Sequence, residues 1–358
     1  MTVYKPLETE KDITTVKTKI HEVIPVTGSI VSGTYASDGN IKTFTHGMFT
    51  SVYDYPYLSS SANHLFDITV GTMAGGVHGA SGIHPVSASN ANKTEKANIY
   101  TQMAKMLYGV DATGSIRDID HLGQLIGSST NKLNSAIFLN FSRLLVKDEI
   151  EKESFSITIG TGSYATPFTS SGTPVVISDL NANTKYKSNS PAGEYGILYT
   201  GSAGADADAV GLVFYQAGVA VLELSSSTVT GLLSNDEGLA SSTLSHSGSL
   251  QSSSINDIAA GVRRRIQNIS FRNTTELNST VYFCRANHNE FNFSSNPTYL
   301  TASKIRVKNN KPTEAPVSYI TTVGLYGADN ELLAVAKLSE PIKKTPANDF
   351  TIRVRLDY

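Results

Sequence analysis

The chain has eight histidines, at positions 21, 46, 64, 78, 84, 121, 246 and 288, and they are its first candidates for chemistry. His78 and His84 share a glycine-rich loop, and His64 with Asp67 lies shortly before it. A metal site at His64, His78 and His84 is therefore one reading. Zinc sites recur as helical His-x3-His pairs or as His and Cys at characteristic intervals, and the spacing here matches neither. Asp206 and Asp208 resemble the start of a calcium loop. The third oxygen ligand, the central glycine and the bidentate Glu that such a loop needs are missing, so a polar turn is expected. The single cysteine, Cys284, permits no disulfide within the chain and no thiolate zinc cluster. Its place in the apolar run Val281-Tyr-Phe-Cys284 predicts a buried structural thiol.

Other kinds of catalysis fare no better. Serines abound, but none sits in a Gly-x-Ser-x-Gly elbow. The loop Gly71–Gly82 holds Gly75, Gly76 and Gly79, yet lacks the Gly-Lys-Ser/Thr ending that completes a phosphate cradle. Paired carboxylates for glycoside hydrolysis are set by the fold rather than by spacing. With no tryptophan in the chain, a sugar-stacking cleft would have only Tyr and Phe to use. Arg263, Arg264 and Arg265 mark an anionic partner, the C-terminal end of a helix dipole or salt bridges between subunits. The expectation is a non-enzyme without cofactor or metal.

Bulk composition agrees. The 358 residues suffice for two or three cores. Charged residues make up 17%, below the ~25% usual for globular chains, and Ser, Thr, Asn and Gly fill the difference. A formal net charge of -2 gives no electrostatic case for nucleic acid or an anionic membrane. The stretch Met1–Glu8 has no charged segment leading into an apolar core, and no apolar run approaches the ~18 residues of a spanning helix. Folding in a cytoplasm is expected. Asn-x-Ser/Thr triplets at Asn140, Asn268, Asn273, Asn278 and Asn292 then reflect Ser/Thr abundance, not glycosylation.

The elements that would position these residues follow from pattern. Residues 1–58 read as an extended arm with first strands, carrying Tyr53, Tyr55 and Tyr57 around a helix-breaking Pro56. In 59–159 a strand near Ser61–Val70 precedes a helix over 94–108, capped by Thr94 and stopped by Gly109. A second helix is predicted over 132–151, and Phe155–Ile159 alternates as a strand. The Ser/Gly-rich segment 160–253 reads as an all-β domain with strands at Tyr195–Tyr199, Gly211–Tyr215 and Val219–Leu224. In 254–358 a helix capped by Ser254 and Asp257 leads into strands. These include Tyr319–Tyr326, a turn at Gly327–Asn330, and a last strand alternating Ile352, Val354, Leu356 and Tyr358 with Arg353 and Arg355. The predicted class is α+β, mainly β, with about three helices and a C-terminal antiparallel β unit.

Several stretches together resemble virion structural proteins of contractile-tailed bacteriophages, in particular cyanophage-like ones. They are Ser59-Ser-Ser-Ala-Asn-His-Leu-Phe-Asp67, Ile99-Tyr-Thr-Gln-Met-Ala104, Phe138-Leu-Asn-Phe-Ser-Arg-Leu-Leu145, Gly211-Leu-Val-Phe-Tyr-Gln-Ala-Gly-Val219 and Glu290-Phe-Asn-Phe-Ser-Ser-Asn-Pro297. The unit Tyr319–Leu338 is also similar to a β unit of phage tail-fibre attachment domains. The resemblance implies a multi-copy component of a tail, baseplate or neck, assembled in the host cytoplasm with other phage structural proteins as a homo- or hetero-oligomer. It carries over no catalytic residue. The expected assembly contacts are Tyr53, Tyr55, Tyr57, Arg353, Arg355 and Tyr358, with strand exchange at β edges as one mode. The three tyrosines either supply amphipathic contact area at such joints or cover the subunit's own core. A neck, collar or head-decorating protein is the first alternative, and a receptor-binding or polysaccharide-degrading tail module the second.

Overall fold

The computed structural model describes residues 4–25, 39–73, 76–77, 80–81, 91–124, 132–133, 135–160, 174–201, 204–223, 254–292, 300–301, 304–305, 313 and 317–358. In chain order they begin with a one-turn helix α1 (Thr9–Asp12) and strand β1 (Ile13–Pro25). Strands β2 (Ile41–Thr43), β3 (Thr50–Tyr53), β4 (His64–Thr72), β5 (Gly76–Val77) and β6 (Ala80–Ser81) precede helix α2 (Ala91–Leu107). Next come β7 (Ser135–Phe141), α3 (Arg143–Val146), β8 (Glu149–Ile150), β9 (Ser156–Ile159) and β10 (Val175–Ser178). After α4 (Ala182–Lys185), β11 (Lys187–Ser190) and β12 (Gly193–Tyr199), a 3-10 turn at Asp206–Asp208 leads into β13 (Ala209–Phe214) and β14 (Val219–Glu223). Helix α5 (Ile255–Arg265) passes directly into β15 (Ile266–Ala286). The C-terminal strands are β16 (Leu300–Thr301), β17 (Lys304–Ile305), β18 (Ser318–Tyr326), β19 (Leu332–Lys344) and β20 (Phe350–Asp357). The fold is mainly β within an α+β class, as expected, and ends in antiparallel strands.

Packing divides the chain into two compact units, residues 20–275 and residues 1–19 with 276–358, rather than at 58, 159 and 253. In the larger unit the strand order is β15-β9-β10-β12-β13-β14-β7-β4-β3-β2, and every one of these ladders is antiparallel. Strands from 41–72 and from 135–159 thus share a sheet with those of the Ser/Gly-rich segment.

Both faces of this sheet are covered. On one face Phe66, Leu139, Phe141, Val213 and Leu222 pack with Ile258, Ala259 and Val262 of α5. On the other, Phe138, Tyr195, Phe214 and Val221 pack with Tyr100, Ala104 and Leu107 of α2. The α2 backbone lies so close to β4 that a Cβ on Gly71 would stand 2.9 Å from Tyr100 Cα.

This two-sided burial overturns the helix expected over 132–151. Ser135–Phe141 is a strand, and only Arg143–Val146 forms a helical turn. A strand buried on both sides has no polar alternation, so Ala-Ile-Phe-Leu reads equally well as a buried helix. In the fold, Ile137, Leu139 and Phe141 face one core, while Ala136 and Phe138 face the other. Helix α2 begins at Ala91, so Thr94 lies inside it rather than at its cap. Gly109, at φ 78°, ends it by donating its N–H to Ala104 and Lys105 carbonyls. Met106, in the last turn of α2, is 52% exposed. Helix α5 starts as expected, with the Asp257 N–H donating to Ser254 Oγ at 3.1 Å.

In the smaller unit, β20 pairs antiparallel with the second half of β15, from Ser279↔Asp357 to Ala286↔Phe350. β18 and β19 form a separate two-stranded hairpin, turned at 327–330 with Asn330 at φ 64°. Ile269–Phe271 and Thr280–Phe283 are parts of one 21-residue strand.

Candidate functional site

The sequence-derived contact residues fall on two surfaces, one in each unit. In the larger unit, β3 ends at Tyr53 and the chain turns through Asp54–Ala62 before β4. Asp54 fixes this turn by accepting from the Asn63 backbone N–H at 2.6 Å and from Asn63 Nδ2 at 2.8 Å. The Tyr57 N–H donates to the Gly39 carbonyl. Tyr53 is half-buried, its ring against those of Tyr57 and His64 at 6.3 and 5.5 Å. Tyr55 and Tyr57 are exposed, as is Leu58 at 87%, and none of the three belongs to either apolar cluster. The turn presents aromatic and aliphatic surface on a pinned backbone.

Behind it lies a serine, an aspartate and a histidine in contact. Ser51 Oγ donates to Asp67 Oδ1 at 2.5 Å, and His64 Nε2 meets the same oxygen at 2.8 Å. The order matters. A serine nucleophile needs the imidazole on its own hydroxyl, with the carboxylate beyond. Here the carboxylate stands between, so the trio links β3 and β4 through Asp67. Among the described residues, no group of three His, Cys, Asp or Glu side chains could hold a metal ion. His78, His84 and His246 lie outside the described residues, as do Ile30, Val31, Tyr35 and Ser225–Ser253. Asp206 and Asp208 occupy the 3-10 turn before β13. Arg263 and Arg265 are each only 2% exposed, which removes them from any charged surface.

In the smaller unit, β20 alternates as expected, with Val354 buried, Ile352 and Leu356 half-buried, and Thr351, Arg353 and Arg355 exposed. Arg355 donates to Asp357 Oδ1 at 2.7 Å and Ser279 Oγ at 2.9 Å, and Ser279 donates to the same carboxylate at 2.6 Å. These bonds from Ser279 and Arg355 hold the Asp357 carboxyl below its ordinary pKa. Tyr358, 74% exposed, keeps its hydroxyl on Thr280 Oγ1 and donates its N–H to the Asn278 carbonyl. The hairpin exposes Tyr319, Tyr326, Leu332, Leu333 and Val335.

Asp179 and Lys344 are among the buried polar residues that the sequence does not single out. Asp179, 1% exposed, accepts from the Glu153 and Phe155 N–H groups and from the Tyr215 hydroxyl. Burial nonetheless pushes its pKa up to about 7 and raises that of Tyr215. Its signal was an aspartate just after an apolar strand, a turn position. Lys344 is fully buried, its ammonium donating to the His288 and Thr345 carbonyls and to Asn292 Oδ1. Nothing in Lys343-Lys344 distinguishes the two. Cys284 is half-buried, and burial raises its thiol pKa.

Comparison with protein-family models, curated proteins and solved structures finds no match.

Proposed function

We propose that the chain is a non-enzymatic structural subunit of a contractile phage tail, a baseplate or baseplate-wedge component that assembles through its termini and β edges. The observation that carries this reading is the C-terminal hairpin. It is a two-stranded sheet with five large apolar side chains in solvent and no further strand beside it among the described residues. A lone hairpin is marginal in water and an unpaired edge invites a neighbour, so such a feature suits a subunit completed by others. Exposed Tyr55, Tyr57, Tyr358, Arg353 and Arg355 supply a second kind of contact, aromatic and guanidinium groups being enriched where interfaces bind strongly. The polar trio at Ser51, Asp67 and His64 is consistent with a packing role.

The test is made on particles. Mass spectrometry of purified tails, followed by partial dissociation, should recover the chain with baseplate proteins. Double substitution of exposed Tyr55 and Tyr57 to Ala should lower its incorporation while leaving its unfolding midpoint unchanged. Absence from tails would overturn the reading, and recovery with neck or head proteins would move it there.

A further inference from the structure

Strand β1 is held to the sheet from one side only. Among the described residues it pairs with β15 and with no other strand, and every residue from Thr14 to Val23 is exposed. Val16, Ile20 and Val23 are thus in solvent, and none of them enters either apolar cluster. What fastens the strand is its ladder to β15 and a row of polar contacts. Asp12, just before β1, accepts from Arg285 Nε at 2.8 Å. Lys17 and Lys19 reach Glu276 at 3.3 and 3.1 Å, and His21 Nδ1 meets Thr274 Oγ1 at 3.2 Å. The contacts run back along β15 as they run forward along β1, so charge and ladder specify one register.

Connectivity does not tie β1 to the β15 of its own chain. Thr274 is 253 residues beyond His21, so no hairpin turn joins the two strands. β2, the next strand in sequence, stands at the other end of the strand order, with residues 26–40 between. The β15 of a second copy offers β1 the same backbone groups and the same Arg285, Glu276 and Thr274, so an exchange forfeits none of these contacts. Solvent-exposed ion pairs hold a strand weakly, and the exposed run Thr14–Val23 takes no apolar core with it when it moves. An uncovered β15, by contrast, is a long open edge that calls for a strand. The occupant that fits it is visible in the fold: a strand carrying Asp12, Lys17, Lys19 and His21 in this register.

We propose that β1 is an exchange arm: residues 12–25 of one copy of this chain lie along β15 of a second copy, which returns its own. The arm rests on the reading of the chain as an assembling subunit and gives that subunit a named joint.

In a Cys284→Ser background, full-length chains with His21→Cys and full-length chains with Thr274→Cys, differently tagged, are co-expressed and mildly oxidised. Exchange brings the two positions together between chains, where short side chains are already in contact, and should give a disulfide-linked heterodimer. Moving the first cysteine to Val16, further along the ladder, should abolish the link. Charge supplies a second measurement that needs no cysteine. A Lys17→Glu/Lys19→Glu chain and a Glu276→Lys chain each set like charges together, whereas reciprocal exchange between the two restores opposite charges on both strands. Refolded as a mixture and weighed by native mass spectrometry, they should favour the heterodimer over either homodimer about tenfold. No link between the His21→Cys and Thr274→Cys chains, a link that persists from Val16→Cys, or a charge-reversed mixture without heterodimer would each overturn the arm. Detection in tails is a separate measurement, so an unexchanged chain found in particles sinks the arm and leaves the structural role standing.

Discussion

Asp179 shows how one side chain can set both local geometry and pH response. Its carboxylate ties Glu153 and Phe155, which lead into β9, to Tyr215 at the end of β13. An unfolded aspartate titrates near ~3.9, whereas the folded one titrates at about 7. Between those values the folded chain holds a proton that the unfolded chain has released. The group's contribution is therefore full below about pH 4, falls as pH rises to about 7, and is level above it. Urea unfolding across this range should show the wild-type stability relative to Asp179→Asn declining by on the order of a few kcal/mol. A flat difference would show that Asp179 stays ionised when folded. Lys344 poses the opposite case, a buried cation whose acceptors are two carbonyls and an amide oxygen. Lys344→Met should lower the unfolding free energy by about 1–3 kcal/mol, because it removes three hydrogen bonds donated by a charged group. Of the histidines in the sequence, His121 is half-buried, and burial holds its pKa below the ordinary value.

At the level of elements, the turn between β13 and β14 is tightly constrained. Gly218 stands at φ 67° and donates its N–H to the Phe214 carbonyl. A Cβ there would lie 2.8 Å from Val146 Cγ2 on α3. Gly218→Ala should cost about 1–3 kcal/mol in chemical denaturation, from the left-handed backbone and the contact together. Adding Val146→Ala relieves the contact but not the backbone, so a full rescue would show that φ contributes nothing. Strand β7 teaches a different lesson. Its identity depends on neighbours, since α2 on one side and α5 on the other bury both of its faces.

For the whole molecule, the two units differ in what holds them. Residues 20–275 enclose both large apolar clusters, while the smaller unit buries Val281, Ala286 and Val354 and relies on strand pairing and on Lys344. Hydrogen exchange at high dilution should therefore be slowest in β7, β13 and β14 and fastest in β18 and β19, since protection follows burial. Uniform protection across both units would contradict this division.

The sequence by itself determined the elements whose signals are local. Ser254 and Asp257 marked the start of α5, Gly109 the end of α2, and the Ile352/Val354/Leu356 alternation the half-buried last strand. Each depends on a backbone donor, a positive φ or a single covered face, all set within a few residues. Tertiary structure alone decided the rest. It made Ser135–Phe141 a strand by covering both faces and joined Ile269 to Phe283 in one strand by giving that run successive partners in β9, β8 and β20. It also buried Arg263 and Arg265 and put Asp67 between Ser51 and His64. Those outcomes turn on what lies across from a residue, and that is fixed by long-range pairing rather than by the neighbouring letters.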